Sequence, residues 1–223
     1  MADNLFKTAE RIQDSFLAKV EKRALYWLAA RMPYRITPDH LTLIGLGALV
    51  LCGAFYFASR SGPGWLHLVN LLLVINWFGD SLDGTLARYR NRQRPRYGFY
   101  VDHITDAVGT LALLTGLGLS GYMSERVAFA LLALYLLLSI NSYLWVYAMG
   151  KFHLSFWKFS PTELRLLLIV GNLVLLYKPR VILFGRHCLL FDAGGTVAAG
   201  LMVLMLASSI IRNTRQLYLL ERV

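Results

Sequence analysis

GDSLDGTLARYRNRQRPRYGFYVDHITDA, residues 79–107, joins the end of one long apolar run to the start of the next and sets four aspartates at that junction. Asp80 and Asp83 stand three residues apart, Asp102 and Asp106 four; on a helix, residues at those separations share a face. Two such helices packed side by side would bring four carboxylates together at the edge of an apolar region. An ionisable side chain set deep in a span costs about 2.5–3.5 kcal/mol, and four neighbouring acids also repel one another until some take up protons. Divalent cations relieve both problems, because hard ions such as magnesium bind carboxylate and phosphate oxygens. The junction reads as a metal site.

The chain around it is 57% hydrophobic and 16% charged, with apolar runs of the ~20 residues that a membrane crossing requires. Six spans are expected, at about 40–59, 66–88, 98–120, 127–149, 162–177 and 193–211. The fold class is therefore all-α integral membrane: six transmembrane helices in one domain, 36–223, preceded by an N-terminal segment, 1–35. That segment carries Leu5, Ala9, Ile12, Phe16, Val20, Ala24 and Leu28 at three- and four-residue steps, with Lys7, Arg11, Lys19, Lys22 and Arg23 mainly off the stripe. This pattern describes an amphipathic helix lying in the membrane interface; a helix docked on the rest of the protein is the alternative. Nothing in the first 30 or so residues reads as a cleavable signal peptide, and no internal repeat is evident.

The net charge of +10 points, in so apolar a chain, to anionic lipid head groups and cytoplasmic loops rather than to nucleic acid. The N-terminal segment, the arginine-rich loop 89–96, the Lys151–Lys158 connection and the C-terminal tail would share the carboxylate side. That side is expected to be cytoplasmic, against a smaller basic group of Lys178, Arg180 and Arg186 opposite. Cys52 and Cys188 form neither a disulfide framework nor a zinc spacing. In the last span, Gly194, Gly195, Ala198, Ala199 and Gly200 suit close helix packing, and Asn141, Ser142 and Tyr143 suit hydrogen bonds between helices. Glu163 and Arg165, two residues apart, do not share a helix face; each needs its own partner. Arg165 would hold an anionic acceptor or snorkel to the head groups.

The full spacing, Asp80-x2-Asp83-Gly84-x2-Ala87-Arg88-x9-Gly98-x3-Asp102-x3-Asp106, resembles the signature of the CDP-alcohol phosphotransferases at all eight positions. Even glycine accounts for only about 7% of residues, so eight coincident matches are far from chance. The resemblance implies a membrane enzyme of phospholipid biosynthesis that transfers a phosphoalcohol unit from a CDP-alcohol to an acceptor hydroxyl and releases CMP. It implies two divalent cations, magnesium or manganese, on Asp80, Asp83, Asp102 and Asp106, with Asp106 as general base. Gly84, Ala87 and Arg88 are implied to receive the CDP moiety, Arg88 reaching back one turn to a phosphate oxygen, with Gly98 leaving room beside Asp102. Residues 36–42, Ile-Thr-Pro-Asp-His-Leu-Thr, resemble the family's P-N-x-L-T motif beside the nucleotide, which brings in Thr42. Asp39 stands there in place of the family's Asn and is read either as a nucleotide-site residue or as the helix N-cap. A homodimer through the spans is also implied.

Two donors fit the resemblance. The short six-span chain is similar to the compact phosphatidyltransferases, which implies CDP-diacylglycerol and a small polar alcohol. His103 after Asp102, and Thr162-Glu163, are similar instead to the choline/ethanolamine branch, which uses diacylglycerol as acceptor and in which this histidine is a candidate base; otherwise His103 is a structural hydrogen-bonding residue. A different class, an ion- or proton-coupled transporter using the acids as a relay, leaves Gly84, Ala87, Arg88 and Gly98 without a role.

Overall fold

The computed structural model describes residues 18–149, 161–183 and 185–221. Among them run seven helices: α1 (Ala18–Arg31), α2 (Pro38–Ala58), α3 (Trp65–Tyr89), α4 (Pro95–Leu119), α5 (Glu125–Met149), α6 (Pro161–Leu175) and α7 (Leu190–Leu220). A two-stranded antiparallel hairpin, β1 (Arg180–Leu183) and β2 (Arg186–Leu189), links α6 to α7 and places Cys188 opposite Val181. Gly185 turns it at φ +75, a conformation glycine adopts without steric cost. The hairpin is a small departure from the all-helical expectation.

Four segments, Pro38–Ser61, Trp65–Tyr89, Glu125–Met149 and Leu190–Leu220, are long and apolar enough to cross a membrane. The remaining two expected spans differ in kind. α4 has the length but carries Arg96, Asp102, His103 and Asp106, and α6, with 15 residues, rises only about 22 Å against a hydrocarbon core of about 30 Å.

α2 is the central helix. Thr37 caps it: its hydroxyl accepts from the His40 N–H, while the Thr37 N–H donates to His40 Nδ1 at 3.2 Å, and Pro38 occupies the first turn, where its missing N–H is no loss. The N-cap role considered for Asp39 therefore belongs to Thr37. At its other flank α3 ends in a Schellman turn, with Asn91 at φ 53 and Arg92 N–H donating to the Ala87 carbonyl at 2.9 Å.

α3 and α4 each pack broadly on α2, while among the described residues they approach one another only weakly. The sequence expectation of α3 and α4 side by side is corrected accordingly: α2 lies between them. Glycines make this possible. A Cβ at Gly79 would stand 2.6 Å from the Leu41 carbonyl oxygen, and one at Gly116 would stand 1.9 Å from the Gly53 oxygen. Without a driving force from apolar burial in lipid, such backbone contact is how membrane helices gain packing energy. From Leu49, beside the aspartates, a core extends away from them through Cys52, Tyr56, Val69, Leu73, Leu113 and Leu117. Through it runs a polar link, Tyr56 Oη donating to Asn172 Oδ1 (2.9 Å) and Asn172 Nδ2 to Asn70 Oδ1 (2.7 Å).

α5 bridges α4 and α7, joined to α7 by an Asn141–Ser209 hydrogen bond of 2.9 Å, as the polar group at 141–143 led one to expect. Of the small residues on α7, Gly195 packs closely against Val127, whereas Gly194 and Gly200 face open space. α1 docks on α3 through Leu25, Leu28 and Ala29, with Met32 just past its end in the same seam. That seam is offset from the stripe read in the sequence, and Val20 is 70% exposed; residues 5–17 of the stripe lie outside the described residues.

Filling a backbone contact should be far worse than filling open space. Gly116→Val is expected to lower stability by about 1–3 kcal/mol or more, and Gly200→Val to stay within about 0.5 kcal/mol of wild type. Thermal unfolding in one detergent checks both, and equal midpoints would remove the α2–α4 contact from the account.

Candidate functional site

At the end of α2 nearest its N-terminus, the gap between α3 and α4 forms a small cleft. Thr42, Gly45, Leu46 and Leu49 of α2 make its floor, and Asn76 and Asp80 of α3 face Thr105 and Asp106 of α4 across it. Thr42, Gly45 and Leu49 recur at helical steps, so α2 turns one continuous face to the cleft. Carboxylate oxygens of Asp80, Asp102 and Asp106 come within 4.8 Å of one another, and the three residues are partly buried.

Asp83 borders this trio without joining it. One of its oxygens accepts from the Thr42 hydroxyl at 2.6 Å and the other from its neighbour's amide, Gly84 N–H. The Thr42 hydroxyl thus orients a carboxylate of α3 from α2, which the close Gly79–Leu41 contact makes possible. Sequence spacing placed four acids at the site; the structure groups three and fixes the fourth beside them.

Arg88 lies back along α3, with its Nη1 3.4 Å from where a Gly84 Cβ would stand, and its Nη2 donates to Thr85 Oγ1 at 3.1 Å. The guanidinium therefore crosses the bare backbone of Gly84, with Ala87 partly buried on the same turn. Gly98 is exposed, and a Cβ there would meet nothing within 4 Å, which leaves the approach to Asp102 open one turn away.

His103 Nδ1 lies 2.7 Å from the Phe99 carbonyl and 3.8 Å from an Asp102 oxygen. Its ring packs at 4.2 Å on Phe99 and edge-on at 5.1 Å to Tyr143 of α5. Arg165 does not snorkel. Its Nη2 donates to Asp80 Oδ2 at 2.6 Å and its Nε to Asn76 Oδ1 at 2.7 Å, with only 12% of the side chain exposed.

The arginine loop divides into separate tasks. The Arg90 guanidinium donates to the carbonyls of Met32, Pro33 and Ile36, tying the α1–α2 connection to the end of α3. Arg92 reaches the Tyr34 hydroxyl. Arg94 pairs with Asp39 and lies over the Tyr97 ring; the hydrogen bond to Asp39 holds its guanidinium above the ordinary value. Asp39 is thereby directed to the loop, and both partners are about half exposed, a setting in which an ion pair contributes little.

Sequence reading missed Asn76 and Glu21. Asn76 stands four residues before Asp80, a separation that puts it on the same face one turn away; a lone amide in an apolar run was the available signal. Glu21 Oε1 accepts from Trp77 Nε1 (2.9 Å) and from the Thr162 hydroxyl (2.7 Å), so Thr162 serves to fasten α6 to α1. Nothing in the periodicity of residues 5–28 marked Glu21, since its partners lie 56 and 141 residues away.

The donor set fits a hard divalent cation. It is entirely oxygen, and ligand bonds of about 2.0–2.6 Å allow one ion to span oxygens that lie within 4.8 Å of each other. Asp80, Asp102 and Asp106 would hold it.

Comparison with known proteins agrees with this geometry. Over 84 residues the chain is 36% identical to the phosphatidylinositol phosphate synthase of Cutibacterium acnes, covering 38% of each protein. Over 99 residues it is 36% identical to the CDP-diacylglycerol–serine O-phosphatidyltransferase of Encephalitozoon cuniculi, covering 42% of this chain and 25% of the relative. A similar stretch of 96 residues is 32% identical to cholinephosphotransferase 1 of Gallus gallus, covering 40% and 28%. These matches span well under half the length of each relative. The profile of the CDP-alcohol phosphatidyltransferase family, by contrast, matches residues 35–212, from the α1–α2 connection through most of α7 and across the whole cleft. The chain belongs to the CDP-alcohol phosphatidyltransferase family.

Proposed function

We propose that this protein transfers a phosphatidyl group from CDP-diacylglycerol to the hydroxyl of a small polar alcohol and releases CMP. The observation that carries this reading is the cleft itself: three carboxylates across the α3–α4 gap, beside a guanidinium laid over a bare glycine backbone. A transporter needs no such cradle. All six helices α2–α7 of the family-matched region are read as membrane-embedded. The arginines of the 89–96 segment lie at the end of α3 nearer the cleft, which supports a cytoplasmic cleft; the Lys151–Lys158 connection lies outside the described residues. A pair of copies meeting through the spans, implied by the resemblance, belongs to the same reading.

Two magnesium or manganese ions on the four aspartates would, when bound, neutralise the diphosphate and the departing CMP. The chain's own residues do the rest. Gly84 and Ala87 admit the diphosphate close to α3, and Arg88 offers it a planar fork of donors. Thr42 keeps Asp83 aimed by holding one of its oxygens. Asp106 accepts the acceptor's hydroxyl proton as that oxygen bonds to the phosphorus bearing the diacylglycerol, and the bond from this phosphorus to the CMP oxygen breaks. A carboxylate is a weak base, so placement beside the hydroxyl must supply much of the effect.

A second reading, transfer from CDP-choline or CDP-ethanolamine to diacylglycerol, is favoured by one feature. His103 Nδ1 stands 2.7 Å from the Phe99 carbonyl, a contact that a neutral imidazole makes by carrying its proton on Nδ1 and its lone pair on Nε2, the form a base requires.

Arg88→Lys keeps the charge but loses the fork, so CMP release should fall well below wild type; Arg94→Lys, in an exposed pair, should remain near it. Equal losses at both positions would contradict the division of tasks among the arginines.

The two bases are separated by radiolabelled CMP-release assays with each donor. Asp106→Asn should abolish transfer, and His103→Ala should retain substantial activity with CDP-diacylglycerol. A loss of about 10²–10⁴-fold in His103→Ala, in a wild type that uses only CDP-choline, would establish the second reading instead.

A further inference from the structure

Resting on the reading of the carboxylates as a cation site, we propose that Arg165 is the internal counter-ion of that site. It competes with a divalent cation for Asp80 and so sets how tightly the cluster binds one.

The guanidinium is aimed by more than its attraction to Asp80. Its Nε–H is held by Asn76 Oδ1 at 2.7 Å, and Asn76, 2% exposed, is in turn anchored through Nδ2–H to the Gly45 carbonyl at 2.9 Å. A chain of hydrogen bonds thus runs from the backbone of α2, through α3, to the side chain of α6. Along it the Arg165 charge is delivered to Asp80 Oδ2 at 2.6 Å. With 12% and 23% of the two side chains exposed, water screens neither charge well, and each needs the other.

Asp80 is also one of the three carboxylates within ligand reach of one another. A cation taken by that carboxylate would stand a few ångströms from a fixed positive charge, where like charges repel strongly in a sheltered site. Binding therefore works against the Arg165–Asp80 pair, and apparent affinity falls by the fraction of time the pair leaves Asp80 available. α6 itself is fastened at two other points, Thr162 to Glu21 (2.7 Å) and Asn172 to Asn70 (2.7 Å). The exchange then needs only a rotation of the Arg165 side chain, without movement of its helix.

The test is Mn2+ binding to the full chain in detergent, followed by the electron paramagnetic resonance of free Mn2+, together with thermal unfolding in EDTA and in saturating Mn2+. Arg165→Gln is expected to bind Mn2+ about tenfold more tightly, the factor for a pair that leaves Asp80 available about a tenth of the time. Its midpoint should drop more in EDTA than in Mn2+, because Asp80 then lacks its partner. Asn76→Ala keeps the charge but removes the aim, and should also tighten binding. Should Asn76→Ala fail to fold, the same question is put by Arg165→Gln in an Asp80→Asn background, where the tightening should vanish. Wild-type affinity in both single variants overturns the proposal, as does tightening in Arg165→Gln alone or its persistence without Asp80, which would mark a general charge effect. A wild type that binds no Mn2+ overturns the cation reading and this proposal with it.

Discussion

Everything at the cleft depends on how closely α2 approaches its two neighbours. Gly79 meets the Leu41–Gly45 turn of α2 on one side, and Gly53 meets Gly116 on the other, so that backbone touches backbone at both contacts. In lipid, apolar side chains gain little by leaving their surroundings, and such approach must supply the packing. It also sets the working distances. Thr42 can hold Asp83 only because the first contact is tight, and α4 can face α3 across a narrow gap only because the second is.

The gap then poses an electrostatic problem that the fold solves with side chains from several helices. Carboxylates of α3 and α4 converge there; Arg165 enters from α6 to meet Asp80, and Asn76 steers it. The surrounding arginines are not interchangeable reservoirs of charge. Arg90 satisfies backbone carbonyls of the α1–α2 connection, Arg94 answers Asp39, and Arg88 alone of these lies over Gly84. Charge density in the 88–96 segment thus separates into arginines tied to the α1–α2 connection and one laid along Gly84 once the partners of each residue are known.

Much of this was legible in the chain. The spacing of the aspartates anticipated that carboxylates of α3 and α4 would meet, as Asp80, Asp102 and Asp106 do, and apolar run lengths located most of the helices. What escaped was information carried by partners distant in sequence. No periodicity could say that α2 would lie between α3 and α4, since both flanks are apolar and the deciding glycines are scattered over residues 45–116. Asn76 and Glu21 looked like isolated polar residues because their partners lie on other helices. The docking seam of α1 is offset from the described part of the N-terminal stripe for a related reason: Leu25 and Ala29 join Leu28 at helical steps as readily as Val20 and Ala24 do, and only docking on α3 selects them.

The central claim is that the cleft makes a phospholipid from a CDP-activated donor. Its most direct measurement is lipid mass spectrometry on the membranes of one expression host carrying either the wild-type chain or Asp106→Asn at matched protein levels. A phospholipid class that rises with the wild type and stays at background with Asp106→Asn is the predicted result, and its head group would identify the acceptor. Identical lipid profiles for the two proteins, with no CMP formed from either CDP-diacylglycerol or CDP-choline by the purified wild type, would contradict the account.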